Sequence, residues 1–142
     1  GDGFTPIDLV NIIKPSVYLL GKAAWSSGGI VSNAETICKW GYELYSPKGN
    51  AISENTRKLL YQSILDINAD KTDVYGYGIR KLFYKDFEFV GSYGRSIGSE
   101  NLLFYNEQYD TSFCILSNCN MMTNGSPNID ELLFWLFECI KF

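Results

Sequence analysis

A run of alternating side chains that begins at Val74 most constrains the fold of this chain. Two sets of residues alternate with a period of two along residues 74–84, which is the pattern of a β-strand. Lys85 and Asp86 then suit a tight hairpin turn, so residues 87–92 are expected to return antiparallel. Further strands are predicted near residues 101–105 and over 111–117, with a turn between them. The sequence therefore predicts an antiparallel meander of about four strands.

Helices are predicted before the sheet. Ser32 and Glu35 have the spacing of a capping box, which predicts a helix from 33 to 45. Ser53 is the expected N-cap of a second helix that ends near Ile67. The inward face of the first of these helices is predicted from residues three and four apart. That face is Ile37, Trp40, Gly41 and Leu44.

The last segment predicts an apolar C-terminal helix over residues 129–142, with Asn128 as its cap. Apolar side chains leave this helix little polar surface, so it is expected to be largely buried against the sheet. Another short helix is predicted to begin near Pro6. Residues 1–70 are thus expected to be mainly helical, and 71–142 to hold the sheet and the last helix. Together they predict a single α+β domain over residues 1–142.

Charge and hydropathy exclude two classes of partner. The chain has a net charge of −4 and no cluster of Lys or Arg, so no nucleic-acid surface is predicted. No apolar run reaches the ~18 residues that a membrane-spanning helix needs, so no membrane span is predicted. The localisation of the protein is not indicated by its composition.

The absence of histidine limits the chemistry that this chain can perform. With no histidine, it cannot by itself form a Ser-His-Asp or Cys-His catalytic arrangement. The four cysteines lack the CxxC spacing of a zinc site, so no metal and no cofactor are predicted. They allow three disulfide pairings, or they are free buried thiols. The four are Cys38, Cys114, Cys119 and Cys139.

A glycine-rich stretch, FVGSYGRSIGS at 89–99, is the segment that a ligand could approach most closely. Gly91, Gly94 and Gly98 occur within eight positions and alternate with serines and Tyr93. Glycine has no Cβ, so a second backbone can come near. The stretch is predicted to cross from one strand to the next.

Four segments of the chain follow the motifs of a known family in the family's order. Residues 23–35 read AAWSSGGIVSNAE, residues 52–56 read ISENT, residues 75–79 read YGYGI, and FYN at 104–106 precedes CILSN at 114–118. They resemble "aaGGlvSTaeDla", "lSpet", "YGyGw" and "lxYdp…vvvltN" of the penicillin-binding-protein-like serine hydrolases. This family includes class C β-lactamases, D-alanyl-D-alanine carboxypeptidases and related esterases. The resemblance implies part of a β-lactamase/transpeptidase-like fold.

The resemblance also implies where substrate would bind. The family's third catalytic motif is Lys or His, a small residue, then Gly, and Ser92, Tyr93 and Gly94 occupy its position. Gly98 matches the structural glycine that closes the following turn. In the family this strand supplies a backbone N–H to the oxyanion hole and pairs with substrate. Ser92 can donate a hydrogen bond but does not carry the positive charge of the family's first residue.

The catalytic residues of the family are missing from this chain. No serine is followed by lysine three positions later, and no tyrosine by asparagine two positions later. The resemblance therefore implies no catalytic residue in this chain. Without an activated serine the chain alone is expected to be inactive.

The sequence thus predicts the C-terminal half of a serine hydrolase that acts on a D-amino-acid peptide, a β-lactam or an ester. Its expected partners are that substrate and the missing N-terminal half, or a second copy that pairs through an exposed sheet edge. The resemblance implies a periplasmic or other extracytoplasmic location. An alternative hypothesis is a binding or assembly module that kept the fold and lost the chemistry. An unrelated α+β domain is the third possibility.

Overall fold

The computed structural model describes residues 28–64, 73–96, 99–118 and 129–140. The chain divides into two compact units, Gly1–Val31 and Ser32–Phe142. The described part of the second unit contains three helices and five strands. In chain order these are α1 (Ala34–Tyr45), α2 (Glu54–Gln62), β1 (Asp73–Tyr75), β2 (Arg80–Tyr84), β3 (Phe87–Ser96), β4 (Ser99–Asn106), β5 (Thr111–Ser117) and α3 (Ile129–Ile140).

The strands form one antiparallel sheet in the order β1-β2-β3-β4-β5. Each strand pairs with its neighbours in sequence, as a meander requires. The α+β class predicted from the sequence is confirmed. The described residues form five strands, one more than the predicted number of about four.

The additional strand arises from a turn inside the predicted 74–84 strand. The Gly76 N–H donates to the Ile79 carbonyl at 2.7 Å, and the Gly78 N–H donates to the Gly76 carbonyl at 2.9 Å. Gly78 has a φ of 70°, a conformation that glycine adopts without steric cost. The Ser63 hydroxyl oxygen holds the turn by accepting the Tyr77 N–H at 2.8 Å. The alternating pattern continues through this turn, which is why the sequence alone did not indicate it.

The predicted hairpin at Lys85 and Asp86 is confirmed, because Tyr84 lies opposite Phe87. Strand β3 then continues to Ser96, so the prediction of a crossing after residue 92 is wrong. The glycines lie within the strand rather than between strands. At Gly91 a Cβ would lie 2.0 Å from the Leu103 carbonyl oxygen of β4, so only glycine fits this close approach.

The two faces of the sheet have different cores. Helix α3 covers one face, on which the aromatic rings of β3 and β5 meet its buried side. This core consists of Leu82, Phe89, Leu102, Phe104, Phe113, Ile129, Leu133 and Phe137. Helices α1 and α2 lie on the other face, where the buried core is Tyr45, Ile79, Val90 and Tyr105.

Helix α1 begins one residue later than the capping box predicts. Asn33, not Ser32, is the N-cap, and its side-chain oxygen accepts the Thr36 N–H at 2.9 Å. The buried face is also rotated from the predicted one. Gly41 is buried as predicted, whereas Trp40 is 50% exposed. The helix approaches the sheet closely at Gly41, where a Cβ would lie 2.4 Å from Cδ1 of Leu103.

Helix α2 has the predicted N-cap, because the Ser53 hydroxyl oxygen accepts the Thr56 N–H at 3.1 Å. It ends at Gln62 rather than near Ile67. Arg57 is buried and ties the helix to α1, since its guanidinium donates to the Leu44 carbonyl at 3.1 Å. This bond fixes α2 beside the end of α1.

Helix α3 buries one face only. Ile129, Leu133 and Phe137 are buried against the sheet, whereas Trp135 is 59% exposed. The prediction of a largely buried helix is therefore wrong, because the sheet covers only one side of it. The predicted Asn128 cap, the helix near Pro6 and Gly98 lie outside the described residues. None of the helices in the described ranges is long and apolar enough to cross a membrane.

Candidate functional site

Strand β3 has two halves with different neighbours. Its first half pairs with β2 on one side and β4 on the other, and the pairing with β2 ends where Arg80 faces Gly91. The pairing with β4 continues to Ser96. Within the described ranges, residues 92–95 therefore have a strand neighbour on one side only, and we call this stretch the open edge.

The open edge presents backbone groups that an extended ligand could pair with. In an antiparallel sheet, the N–H and C=O groups of alternate residues point toward opposite neighbours. Every second residue of the open edge therefore points these groups away from β4. Unpaired groups of this kind bind an extended chain by adding a strand to the sheet.

The predicted site residues Ser92, Tyr93 and Gly94 are consecutive in β3 and lie on the open edge. Ser92 and Gly94 lie opposite Leu103 and Asn101 of β4 and are half-buried. Tyr93 points to the other face and is 41% exposed. Gly98 lies outside the described residues, so its predicted role stays a prediction.

Tyr93 has a cation above its ring. The guanidinium carbon of Arg80 lies 4.4 Å from the ring centroid, within the range of a cation–π interaction. The register explains this contact, because Arg80 faces Gly91, and Gly91 and Tyr93 share one face of the strand. The interaction helps to hold the exposed ring beside the open edge.

An ion pair lies at the end of the open edge. Arg95 faces Glu100 directly, and its Nη2 and Nε atoms lie 2.6 and 2.9 Å from Oε1 of that carboxylate. Glu100 is only 8% exposed, whereas Arg95 reaches solvent. Arg80 and Arg95 thus lie on the same face as Tyr93, and the charge of Arg95 is paired with that of Glu100. Ser92 adds no charge.

Gly94 lies close to β4 on the paired side of the open edge. A Cβ at this position would lie 3.2 Å from Oδ1 of Asn101, a close contact that the glycine avoids. The backbone N–H groups of the open edge that point away from β4 can donate hydrogen bonds to a bound chain or to a developing negative charge. Among the residues that the structure describes, no group of three His, Cys, Asp or Glu side chains could hold a metal ion.

No family model, curated protein or solved structure matches this chain.

A second polar cluster lies at the opposite end of the sheet, around Asp110 in the β4–β5 turn. Oδ2 accepts from Lys48 Nζ at 2.6 Å and the Tyr42 hydroxyl at 3.1 Å. Oδ1 accepts from the Tyr105 hydroxyl at 2.9 Å and the Ser46 hydroxyl at 3.0 Å. The hydrogen bond from Lys48 is the largest of the effects that lower the Asp110 pKa, from 3.8 to about 2. We call this cluster the Asp110 clip.

The Asp110 clip is structural rather than a ligand site. Each carboxylate oxygen already accepts two hydrogen bonds, which leaves little capacity for a ligand. The donors from α1 and the loop after it fasten that end of the helix to the sheet. Two clefts of about 310 and 460 Å³ lie near this end and share Tyr61 and Glu107, and neither is lined by the open edge.

Sequence reasoning missed three residues of the site, namely Arg80, Arg95 and Glu100. The first could have been found from the predicted hairpin, because a turn at residues 85–86 already places residue 80 opposite residue 91. Arg95 and Glu100 could be found only from the correct end of β3, which was predicted at residue 92 and lies at Ser96. Once β3 reaches Ser96 and β4 begins at Ser99, Arg95 must face Glu100.

Proposed function

We propose that this chain is the C-terminal half of a serine hydrolase of the β-lactamase, D-alanyl-D-alanine carboxypeptidase or esterase type. The acyl-enzyme would form on a serine supplied by the N-terminal half. This half would hold the substrate along the open edge and donate a backbone N–H from Tyr93 or Gly94 to the oxyanion. By itself it lacks the family's Ser-x-x-Lys nucleophile and should not turn over substrate.

The observation that carries the proposal is the position of the open edge. It begins at Ser92, the first residue of the triplet that resembles the family's third catalytic motif. A strand that pairs with substrate needs backbone groups without a neighbouring strand, and the pairing with β2 stops just before this triplet. The small residues Ser92 and Gly94 also leave room for a second backbone.

In this proposal Ser92 stands where the family has a charged residue. Ser92 supplies only a hydroxyl, which forms a weaker hydrogen bond to a carboxylate than a cation does. Arg80 and Arg95 lie on the same face as Tyr93, and Arg95 is already paired with Glu100. The open edge is therefore proposed to hold its substrate mainly through backbone hydrogen bonds rather than through a charge.

The proposal also assigns partners to two exposed surfaces. The N-terminal half, or a second copy of the chain, would cover the open edge and the exposed side of α3, which includes Trp135 and Leu136. The location that goes with this family is periplasmic or otherwise extracytoplasmic. Sedimentation of the isolated chain tests the point, since we expect self-association, and a monodisperse 16.1 kDa species would contradict it.

The direct test is to express the gene with its upstream coding sequence and treat the product with a fluorescent penicillin and a fluorophosphonate. We expect covalent labelling by at least one probe. The Ser92→Ala variant should label about 5- to 10-fold more slowly, because one hydrogen bond to the substrate is lost. Absence of labelling by both probes would contradict the proposal.

Ser112→Ala is the matched control for this experiment. Ser112 is a strand serine on β5, outside the open edge, and among the described residues its hydroxyl has no hydrogen-bond partner. Its removal should leave labelling unchanged. An equal loss in both variants would show that the Ser92 effect is on folding rather than on substrate binding.

A binding module is the second candidate function, and Ser92 favours it because the charged residue of the motif is missing. The open edge could bind an extended peptide by strand addition without any chemistry. In that case the upstream gene would encode no Ser-x-x-Lys segment and neither probe would label the product. Extended peptides would instead shift the amide NMR signals of residues 92–95.

A further inference from the structure

Cys38 and Cys114 lie at the same contact between α1 and β5. The Cys38 thiol donates to the Ser112 carbonyl oxygen at 3.0 Å. Ser112 precedes Cys114 by two residues, so the two side chains share one face of β5. Phe113, between them, points into the core on the other face. Cys114 therefore projects toward the helix that carries Cys38.

A second contact places Cys114 beneath the same turn of α1. Leu103 of β4 faces Cys114 across the strands, and its side chain packs against Gly41, where a Cβ would lie 2.4 Å away. Gly41 is one turn after Cys38 in the helix. Cys114 thus has two neighbours, Ser112 and Leu103, that both contact the turn of α1 between Cys38 and Gly41. The lack of a side chain at Gly41 lets the helix come this close to the sheet.

The two thiols also influence each other. Both side chains are half-buried. Burial first, and then the neighbouring Cys38, raise the pKa of the Cys114 thiol to about 11. Burial also raises the pKa of Cys38. Both thiols are therefore protonated near neutral pH, and their oxidation is expected to be slow rather than that of a fast redox sensor.

We propose that Cys38 and Cys114 form a disulfide that joins α1 to β5 when the protein meets a small-molecule disulfide such as oxidised glutathione. One cysteine thiolate attacks the glutathione S–S bond, forms a mixed disulfide and releases one glutathione. The second thiolate attacks the protein sulfur of that mixed disulfide and releases the other. The two protein thiols lose two protons and two electrons, and one oxidised glutathione is reduced to two thiols.

The fold selects this pair over the exposed cysteine. Cys139 is in α3, which packs on the opposite face of the sheet, so the sheet separates it from Cys114. A disulfide requires Cα atoms within about 7 Å, which favours residues already held at one contact. This inference does not depend on the proposed enzymatic function.

The test uses the full chain with Cys119→Ser and Cys139→Ser, so that only the proposed pair can react. After incubation of the folded protein with oxidised glutathione, we expect an intact mass lower by two hydrogen atoms. We also expect a linked peptide that contains both cysteines. The melting temperature should rise by at least about 5 °C and return after reduction, because the link constrains the unfolded chain.

Two outcomes would overturn the proposal. One is glutathione attached to single cysteines with no linked peptide. The other is a folded protein that stays reduced while the same variant forms the link in urea, which would show that the fold holds the thiols apart. A Cys38→Ser version of this variant is the control, and it should show neither the mass loss nor the rise in melting temperature.

Discussion

The two ends of the sheet differ in how completely their strands and polar groups are paired. At the Asp110 clip, four donors converge on one carboxylate, and the first half of β3 has strands on both sides. At the open edge, β3 has a described strand on one side only, and its largest side chain, Tyr93, is substantially exposed. The difference indicates that one end stabilises the fold and the other is available for a ligand.

The turn at residues 76–79 produces this difference. It ends β1 and delays the start of β2 until Arg80, so β2 is too short to cover the second half of β3. A continuous strand from 74 to 84 would have covered the open edge. A local feature of the backbone at Gly78 therefore decides which part of a distant strand stays accessible.

The largest contrast is expected within β3 itself. Phe89 is fully buried and its ring centroid lies 4.9 Å from that of Phe137, so Phe89→Ala should lower the free energy of unfolding by about 3–5 kcal/mol. Tyr93→Ala, on the same face of the same strand, should cost less than about 1 kcal/mol. Urea denaturation measures both. Equal losses would remove the distinction between the two halves.

The Asp110→Asn variant tests the clip. Asparagine also tolerates the positive φ of 48° at this position, so the backbone should be unchanged. The carboxylate charge and its bond to Lys48 are lost, and we expect a decrease of about 1–2 kcal/mol in the free energy of unfolding. No decrease would show that the four donors are satisfied as well by water.

The clip also predicts how stability depends on pH. The pKa of Asp110 is about 2 in the folded state and 3.8 ordinarily, so between these values the unfolded state binds more protons. The stabilisation is complete above about pH 5 and is lost as the pH falls through the folded pKa. The difference in melting temperature between the wild type and Asp110→Asn should be constant from about pH 5 to 7 and shrink below about pH 4. A constant difference down to about pH 2 would contradict this account.

A small effect is also expected at the ion pair beside the open edge. Glu100→Gln removes a charge that is paired with Arg95, a partly exposed side chain, so the loss should be less than about 1 kcal/mol. Gln keeps an oxygen that can accept from the guanidinium. The same urea measurement applies, and a loss larger than that of Asp110→Asn would reverse the ranking of the two ends.

The sequence predicted which helices and strands form better than it predicted their buried faces and their boundaries. The hairpin at residues 85–86 and the Ser53 cap follow from local rules, and both were correct. The burial of Trp40 was wrong because the direction in which a helix faces the sheet depends on the close approach at Gly41. The point at which β3 loses its second neighbour could not be predicted, because it depends on a turn that the alternating pattern conceals and on the pairing of distant strands.

Amide hydrogen exchange, resolved residue by residue by NMR, tests the open edge most directly. Amides in residues 88–91 lie between two strands and should be protected. In residues 92–95, every second amide points away from β4 and should exchange at least about 100-fold faster than those of 88–91. Uniform protection from 88 to 95 would contradict the account, because it would mean that the second half of β3 is covered.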